Sequence, residues 1–416
     1  MKTVIMAGGK GTRIAEVNSH VPKPMIPIEG KPILEYQINA LKRQGHHDFT
    51  IIIGHLGAAI RDYFGAGSRW GVSIQYIEED APLGTAGALY YLKGRIHEDF
   101  LLINGDIVFD VDISRFLKRH RSLGTTATIL THPNSHPYDS GIIIADESGK
   151  ATGWLHKEDR RLWYKNRVNA GMHMLSPDIF RHFPDLQRRD LDRDVLEPLI
   201  AARKLGIYDS PEYIRDMGTP DRYRAVAEDI RSHRVESRNL GNRQKAVFLD
   251  RDGTLNKHVG FLTDIDDLEL AEGAAEAVWK INASGYLAIV VTNQPVIARG
   301  EVSLDGLAEM HDKLETLLGQ EGAYVDAIYY CPHHPDSGFA GERPEYKVEC
   351  NCRKPRPGML LQAAKDYNID LTESWMVGDG ESDMKAGQAA GCRTMLLDGQ
   401  TTLLQAVDRI LARDNC

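Results

Sequence analysis

The sequence predicts two α/β domains in tandem, each a doubly wound, mostly parallel sheet. Short apolar runs alternate with helical stretches, the rhythm breaks once in a polar stretch before residue 245, and it then restarts. In the first half the runs Thr3–Ala7, Phe49–Ile53, Ile74–Ile77, Phe100–Ile103, Ala127–Leu130 and Gly141–Ala145 read as strands. Helical patterns fall near 32–44, 56–64 and 85–92. Residues 231–244 are polar and aperiodic, so they read as a linker between a domain over 1–230 and a second over 245–416. The second half predicts strands at 246–249, 287–291, 327–330, 375–377 and 393–397, with helices near 272–284, 303–318, 358–367 and 382–390.

A length of 416 residues suits two or three domains with their own cores. The net charge of −9 argues against a general nucleic-acid or anionic-membrane binder. No run of apolar residues is long enough to span a bilayer, and the N-terminal run is too short for a signal peptide. Three of the five cysteines lie between 331 and 352, which suits a metal site in a reducing compartment and a cytoplasmic protein. Cys392 and Cys416 read as a core thiol and a chain terminus.

Each half carries residues that suit phosphate chemistry. In Gly8-Gly9-Lys10-Gly11-Thr12-Arg13 the glycines let backbone N–H groups approach phosphates closely. Lys23 sits between Pro22 and Pro24, which stiffen the backbone around a cation. Leu83-Gly84-Thr85-Ala86-Gly87 is a second glycine-rich turn, with room for a nucleobase. Asp106 ends a buried strand, and Asp216 follows much later.

These motifs, in this order, resemble the sugar-1-phosphate nucleotidyltransferase family over residues 1–225. The resemblance implies that Gly8, Gly9, Gly11, Thr12 and Arg13 hold a nucleoside triphosphate, with Gly84 and Thr85 near its base. Arg13 and Lys23 would neutralise phosphate charge, and Asp106 and Asp216 would bind Mg²⁺. Lys157, Asn169 and Gly171 would face the sugar phosphate. The chain departs from the family at His156, which stands where Glu commonly precedes the lysine. Pro82–Leu89 looks most like the mannose- and heptose-1-phosphate guanylyltransferases, which implies GTP.

The second half opens with Asp250-Arg251-Asp252-Gly253-Thr254 after the apolar run 246–249. This pattern resembles the first motif of the haloacid-dehalogenase-like (HAD) phosphatases. Asp250 would be the nucleophile and Asp252 the acid/base. Thr292 and Asn293 would bond phosphoryl oxygens, Lys354 would balance charge, and Asp379 would hold Mg²⁺ with Asp250 and Asp252. Cys331, His333, Cys350 and Cys352 make a closed set of three thiolates and an imidazole for structural Zn²⁺, with His334 as a substitute for His333. That insert, with Arg353 and Lys354 after it, resembles the D-glycero-D-manno-heptose-1,7-bisphosphate phosphatases. Pro295-Val296 stands where that family reads Ser-Gly, and Gly380 where a lysine often follows the aspartate.

The fusion implies a sequence of reactions. The phosphatase would remove the 7-phosphate from D-glycero-α-D-manno-heptose 1,7-bisphosphate, and the transferase would couple the heptose 1-phosphate to GTP. The partners expected are thus small molecules, GTP and sugar phosphates, with no nucleic acid or membrane, and such transferases often form homo-oligomers. One alternative joins a mannose-1-phosphate guanylyltransferase to a histidinol-phosphatase-like hydrolase. Another is a regulatory pseudoenzyme, which the retained acids and lysines disfavour.

Overall fold

A computed structural model describes residues 1–9 and 21–414. Its chain forms two compact units. The first comprises Met1–His132, Ile143–Leu155 and Asn169–Asn239; the second comprises Pro133–Ile142, His156–Val168 and Leu240–Cys416. The units therefore do not follow the two halves of the sequence. Two segments of the first half, 133–142 and 156–168, belong with the second unit.

The first unit is built on a nine-stranded mixed sheet among the described residues. Thr3–Met6 lies centrally, parallel to Asp48–Ile53 on one side and Phe100–Asn104 on the other. Its Val4 and Ile5 point into different apolar clusters, so both faces are buried. That is why the strand reads as an apolar run without alternation. Ser73–Glu78 extends the parallel side, and Val168–Leu175 pairs antiparallel with Phe100–Asn104. The latter strand alternates Val168, Ala170, Met172 and Met174 with Asn169, Gly171 and His173, a period of two broken only at Leu175. A short antiparallel ladder joins Ile107–Asp110 to Tyr213–Asp216. The helical pattern near 85–92 forms a 3₁₀ helix, Gly87–Leu92.

Residues 231–239 are part of the first unit. A short helix at Arg234–Ser237 buries Val235 in an apolar cluster with Ile26 and Val226, and Arg234 pairs with the buried Asp229 at 2.5 Å. The second unit begins at Leu240.

The sheet of the second unit has five parallel strands among the described residues, in the order Ala327–Cys331, Tyr286–Asn293, Lys245–Leu249, Trp375–Gly378, Arg393–Leu396. The first strand in sequence is thus the middle one, with later strands added on either side. This order leaves a crevice at its carboxyl end, where open α/β sheets bind ligands. Ala246 to Leu249 are wholly buried on both faces, so the following Asp250 is delivered to that crevice by a rigid element. The helix Leu304–Gln320, capped by Ser303 accepting from Gly306 N at 2.9 Å, buries most of its length.

Candidate active sites

In the first unit the carboxyl ends of the central strands open on a cavity of about 1210 Å³. Gly8, Gly9, Lys23, Glu79, Gly84, Thr85 and Asp106 are among its lining residues. The Lys23 ammonium donates to Asp106 Oδ2. The strand pairing sets Asp216 opposite Ile107, and Met217 N donates to Asp106 O at 3.0 Å, so the two expected metal carboxylates are neighbours across one ladder. Burial opposes ionisation of Asp216, but Arg222, the Gly218 N–H and Lys23 hold its carboxyl below the ordinary range. Asp106 lines the cavity beside Lys23, with Asp216 on the neighbouring strand, and carboxylates so placed fit a Mg²⁺ bound with phosphate oxygens.

Asn169 and Gly171 lie beside the same strand end. Gly171 N donates to Asn169 Oδ1 at 3.0 Å. Gly171 has φ +74°, and a Cβ there would meet Asn104 Nδ2 at 2.7 Å, so only glycine fits. Gly84 is bridged to Arg189, and Thr85 Oγ1 accepts from Leu191 N at 2.7 Å and donates to Asp190 at 3.3 Å. The Thr85 hydroxyl therefore fastens the turn. Lys157 stands in an exposed turn of the segment grouped with the second unit and does not line the cavity. Gly11, Thr12 and Arg13 lie outside the described residues.

The second unit has a smaller cavity, about 310 Å³, lined by Asp250, Asp252, Thr292, Asn293, Arg353, Lys354 and Asp379 among others. The buried Lys354 ammonium bonds Asp250 at 2.7 Å, Asp383 at 2.6 Å and the Val291 carbonyl at 2.8 Å. Burial alone would lower its pKa, but the two carboxylates raise it, so it stays charged. Burial, with Asp383 close by, raises Asp250, against the pull of Lys354. Burial and the charge of Asp250 likewise raise Asp379. Oxygens of Asp250, Asp379 and Asp383 all lie within 4.8 Å of one another. Three carboxylates against one ammonium leave two negative charges, which a divalent cation would balance. Gly253 permits the crowding: a Cβ there would lie 2.1 Å from Asp379 Oδ2.

The Asp252 carboxyl stands apart from this trio, bonded instead by Arg251, Gln294 and Asn256. Asn293 forms a reciprocal pair with the Lys354 backbone, both bonds 3.0 Å, and so fixes the lysine. Thr292 Oγ1 accepts from Gln294 at 2.9 Å. Pro295 and Val296 are both buried, with Val296 packed into the main core of the unit. Gly380 N donates to Asp383 Oδ2 at 3.0 Å, tying down the carboxylate that faces Lys354.

Beside this pocket Cys331, His333, Cys350 and Cys352 converge. The sulfurs are 3.2–3.5 Å apart, and His333 Nδ1 is 3.4–3.6 Å from those of Cys352 and Cys331. Those separations are close to the edges of a tetrahedron around Zn²⁺. Hydrogen bonding with Cys331, and then with Cys350 and His333, holds the Cys352 thiol below its ordinary range, which favours its thiolate. His334 Nδ1 accepts from Asp336 N at 3.3 Å, which leaves His333 as the fourth member of the set. Arg353 donates to His333 O at 3.1 Å, so the loop that carries these ligands also aims Arg353 along the pocket.

Sequence reasoning did not single out Glu79, Asp383, Arg251 or Gln294 as site residues. Glu79 has no motif around it. Arg251 stands inside the Asp250–Thr254 motif, Gln294 follows Asn293 and Asp383 lies four residues after Asp379, and only the fold shows where their side chains turn.

Residues 2–233 match the nucleotidyl transferase family and residues 351–410 the HAD-hydrolase-like family. The second half is 46% identical over 154 residues to D-glycero-beta-D-manno-heptose-1,7-bisphosphate 7-phosphatase of Pasteurella multocida, spanning 37% of this chain and 81% of that protein. It is 43% identical over 155 residues to D-glycero-alpha-D-manno-heptose-1,7-bisphosphate 7-phosphatase of Burkholderia mallei, spanning 37% and 80%. The crystal structure of HddC from Yersinia pseudotuberculosis complexed with GMP-PN is 26% identical, covers 55% of this chain and 99% of that one, and has a TM-score of 0.48. The chain thus belongs to the nucleotidyl transferase family through its first half and to the heptose-1,7-bisphosphate 7-phosphatases, HAD-like hydrolases, through its second.

Proposed function

We propose that this chain is a bifunctional enzyme of GDP-heptose biosynthesis. Its second unit removes the 7-phosphate of D-glycero-α-D-manno-heptose 1,7-bisphosphate, and its first transfers GMP from GTP to the heptose 1-phosphate. The observation that carries this reading is the trio Asp250, Asp379 and Asp383 around Lys354 beside a Cys/His set, on one chain with a nucleotidyl transferase cleft. Relatives named for both anomers align with the second half, so the α-anomer rests on reaction logic, the guanylyl route using that anomer.

In the phosphatase an Asp250 oxygen attacks phosphorus as the bond to the C7 oxygen breaks. The departing oxygen takes a proton from the Asp252 carboxyl. Asp252 then accepts a proton from water, whose oxygen attacks the aspartyl phosphate, releasing inorganic phosphate and restoring Asp250. Lys354 orients Asp250 and offsets charge as oxygens accumulate around phosphorus. A Mg²⁺ held by Asp250 and Asp379 would supply further charge neutralisation. A Zn²⁺ held by Cys331, His333, Cys350 and Cys352 would fix the loop that carries Arg353 and Lys354.

In the transferase a heptose 1-phosphate oxygen attacks the α-phosphorus of GTP and pyrophosphate leaves. Lys23 and Arg13 neutralise phosphate charge, and Asp106 and Asp216 would hold Mg²⁺. Positioning supplies most of the catalysis. Glu79 supports guanine: a carboxylate beside the second glycine-rich turn is acceptor-only when ionised and suits the adjacent N–H donors on the guanine edge. The site of action is the cytoplasm, where thiolates stay reduced.

The test is a panel of GTP, ATP, CTP and UTP against heptose and mannose 1-phosphates, read as pyrophosphate release, with phosphate release from heptose 1,7-bisphosphate alongside histidinol phosphate. GTP with heptose 1-phosphate should lead, and Glu79→Gln should narrow the margin over ATP. Preference for histidinol phosphate or mannose 1-phosphate would sink the pathway.

A further inference from the structure

Asp252 is gripped from one side by a side chain that never reaches solvent. Arg251 is wholly buried. Its Nε donates to Asp252 Oδ1 at 3.0 Å, and its Nη2 reaches Oδ1 at 2.9 Å and Oδ2 at 2.8 Å. Gln294, also buried, closes the ring. Its Oε1 accepts from Arg251 Nη2 at 3.0 Å, while its Nε2 donates to Asp252 Oδ2 at 2.8 Å and to Thr292 Oγ1 at 2.9 Å. Asn256 Nδ2 adds a weaker bond to Oδ1 at 3.2 Å. The backbone serves the same end: Leu255 N and Asn256 N both donate to the Arg251 carbonyl, at 2.9 and 3.1 Å.

Burying a guanidinium is expensive unless its partners are well placed, and an apolar side chain would fill the space at less cost. The fork shape matters here, since the planar guanidinium sets Nε on Oδ1 and Nη2 on Oδ2 at once, an alignment that a lysine's compact ammonium does not fix. Asp252 and Gln294 line the pocket, whereas Arg251 lies behind them. A carboxyl that must hand a proton to one oxygen and later take one from water needs a fixed aim.

We propose that Arg251 and Gln294 are positioning residues that aim the Asp252 carboxyl at the leaving-group oxygen. This rests on the phosphatase reading above. It predicts a dependence on the leaving group. An alkoxide needs a proton as it departs, whereas p-nitrophenolate leaves without one.

The experiment uses the full chain and the variants Arg251→Lys and Gln294→Leu, each checked for cooperative thermal unfolding. First-turnover phosphorylation is followed with heptose 1,7-bisphosphate and with p-nitrophenyl phosphate, and fructose 1,6-bisphosphate is the alkyl ester if wild type does not turn over the heptose. The first turnover is chosen because aspartyl-phosphate hydrolysis also needs Asp252. With the alkyl ester each variant should slow by about 10-fold or more beyond its loss on the aryl ester, matching Asp252→Asn in kind. Equal losses on both esters in the two folded variants, or no loss on either, would overturn the proposal. Failure of wild type on the heptose but not on fructose 1,6-bisphosphate would strike the substrate reading and leave the positioning test intact.

Discussion

Arg167 Nη1 lies 3.0 Å from Glu315 Oε2, with both side chains almost wholly out of water, inside the second unit. The same Glu315 oxygen accepts from Asn166 N at 2.9 Å, and Arg167 Nη2 donates to Asp326 O at 3.2 Å. Tyr164 and Thr316 exchange two more bonds, at 2.9 and 3.1 Å. Segment 156–168 is therefore a structural part of the unit that holds the phosphatase residues, although it lies far away in sequence.

Breaking this pair should be costly. Glu315→Ala takes the carboxylate away from a buried guanidinium and should lower the stability of the second unit by about 3–5 kcal/mol. Replacing both partners by apolar residues, Arg167→Met with Glu315→Leu, should recover most of that loss. Denaturant unfolding of the full chain measures both, and a single variant as stable as wild type would contradict the burial.

Asp312, on the helix Leu304–Gln320, gives a pH signature. Burial first, and Glu315 second, push its carboxyl up to about 7. The folded chain then holds a proton that the unfolded chain releases between about pH 4 and 7. This group's contribution is fully present at low pH and is lost as pH rises through the folded value. Asp312→Asn should therefore melt a few degrees above wild type at about pH 8, with the gap narrowing as pH falls and closing near pH 4. Parallel melting curves across that range would refute it.

The Cys/His set should bind one Zn²⁺ per chain. Cys352→Ser, or a strong chelator, should remove the metal, seen by elemental analysis, and collapse phosphate release as Arg353 loses its support from His333. Pyrophosphate release by the same protein should persist. Full phosphatase activity in zinc-free protein would count against the site.

Gly253→Ala should act through Asp379. The added methyl has no room beside Oδ2, so the carboxylate must move. The Mg²⁺ needed for half-maximal phosphate release should rise by roughly 10- to 100-fold, the range seen when a metal ligand loses its setting. A titration curve that overlays wild type would show that the loop yields without loss.

Much was legible without coordinates, because it depends on neighbours in the chain. The run Ala246 to Leu249 followed by Asp250-Arg251-Asp252-Gly253-Thr254 announced a buried strand with carboxylates at its end, and the strand and its burial are as read. The close spacing of Cys350 and Cys352, and of Cys331 and His333, likewise limited where those donors could go. Local pattern fails where a side chain's partner is remote. Lys157 carried a family role by motif, yet its turn is exposed and groups with the second unit. Glu79 lines the first cavity because strand order, not spacing, sets it against Gly8.

The sequence by itself determined the two chemistries and the strands that deliver them, since periodicity, glycine and proline placement, and short motifs act over a few residues. Only the tertiary structure decided which groups share a charge. It set Asp383 with Asp250 on Lys354, the Arg251–Gln294 grip on Asp252, and the burial of Arg167 against Glu315. Those are balances of desolvation against pairing. They exist only once packing has removed water and brought distant residues within a few ångströms.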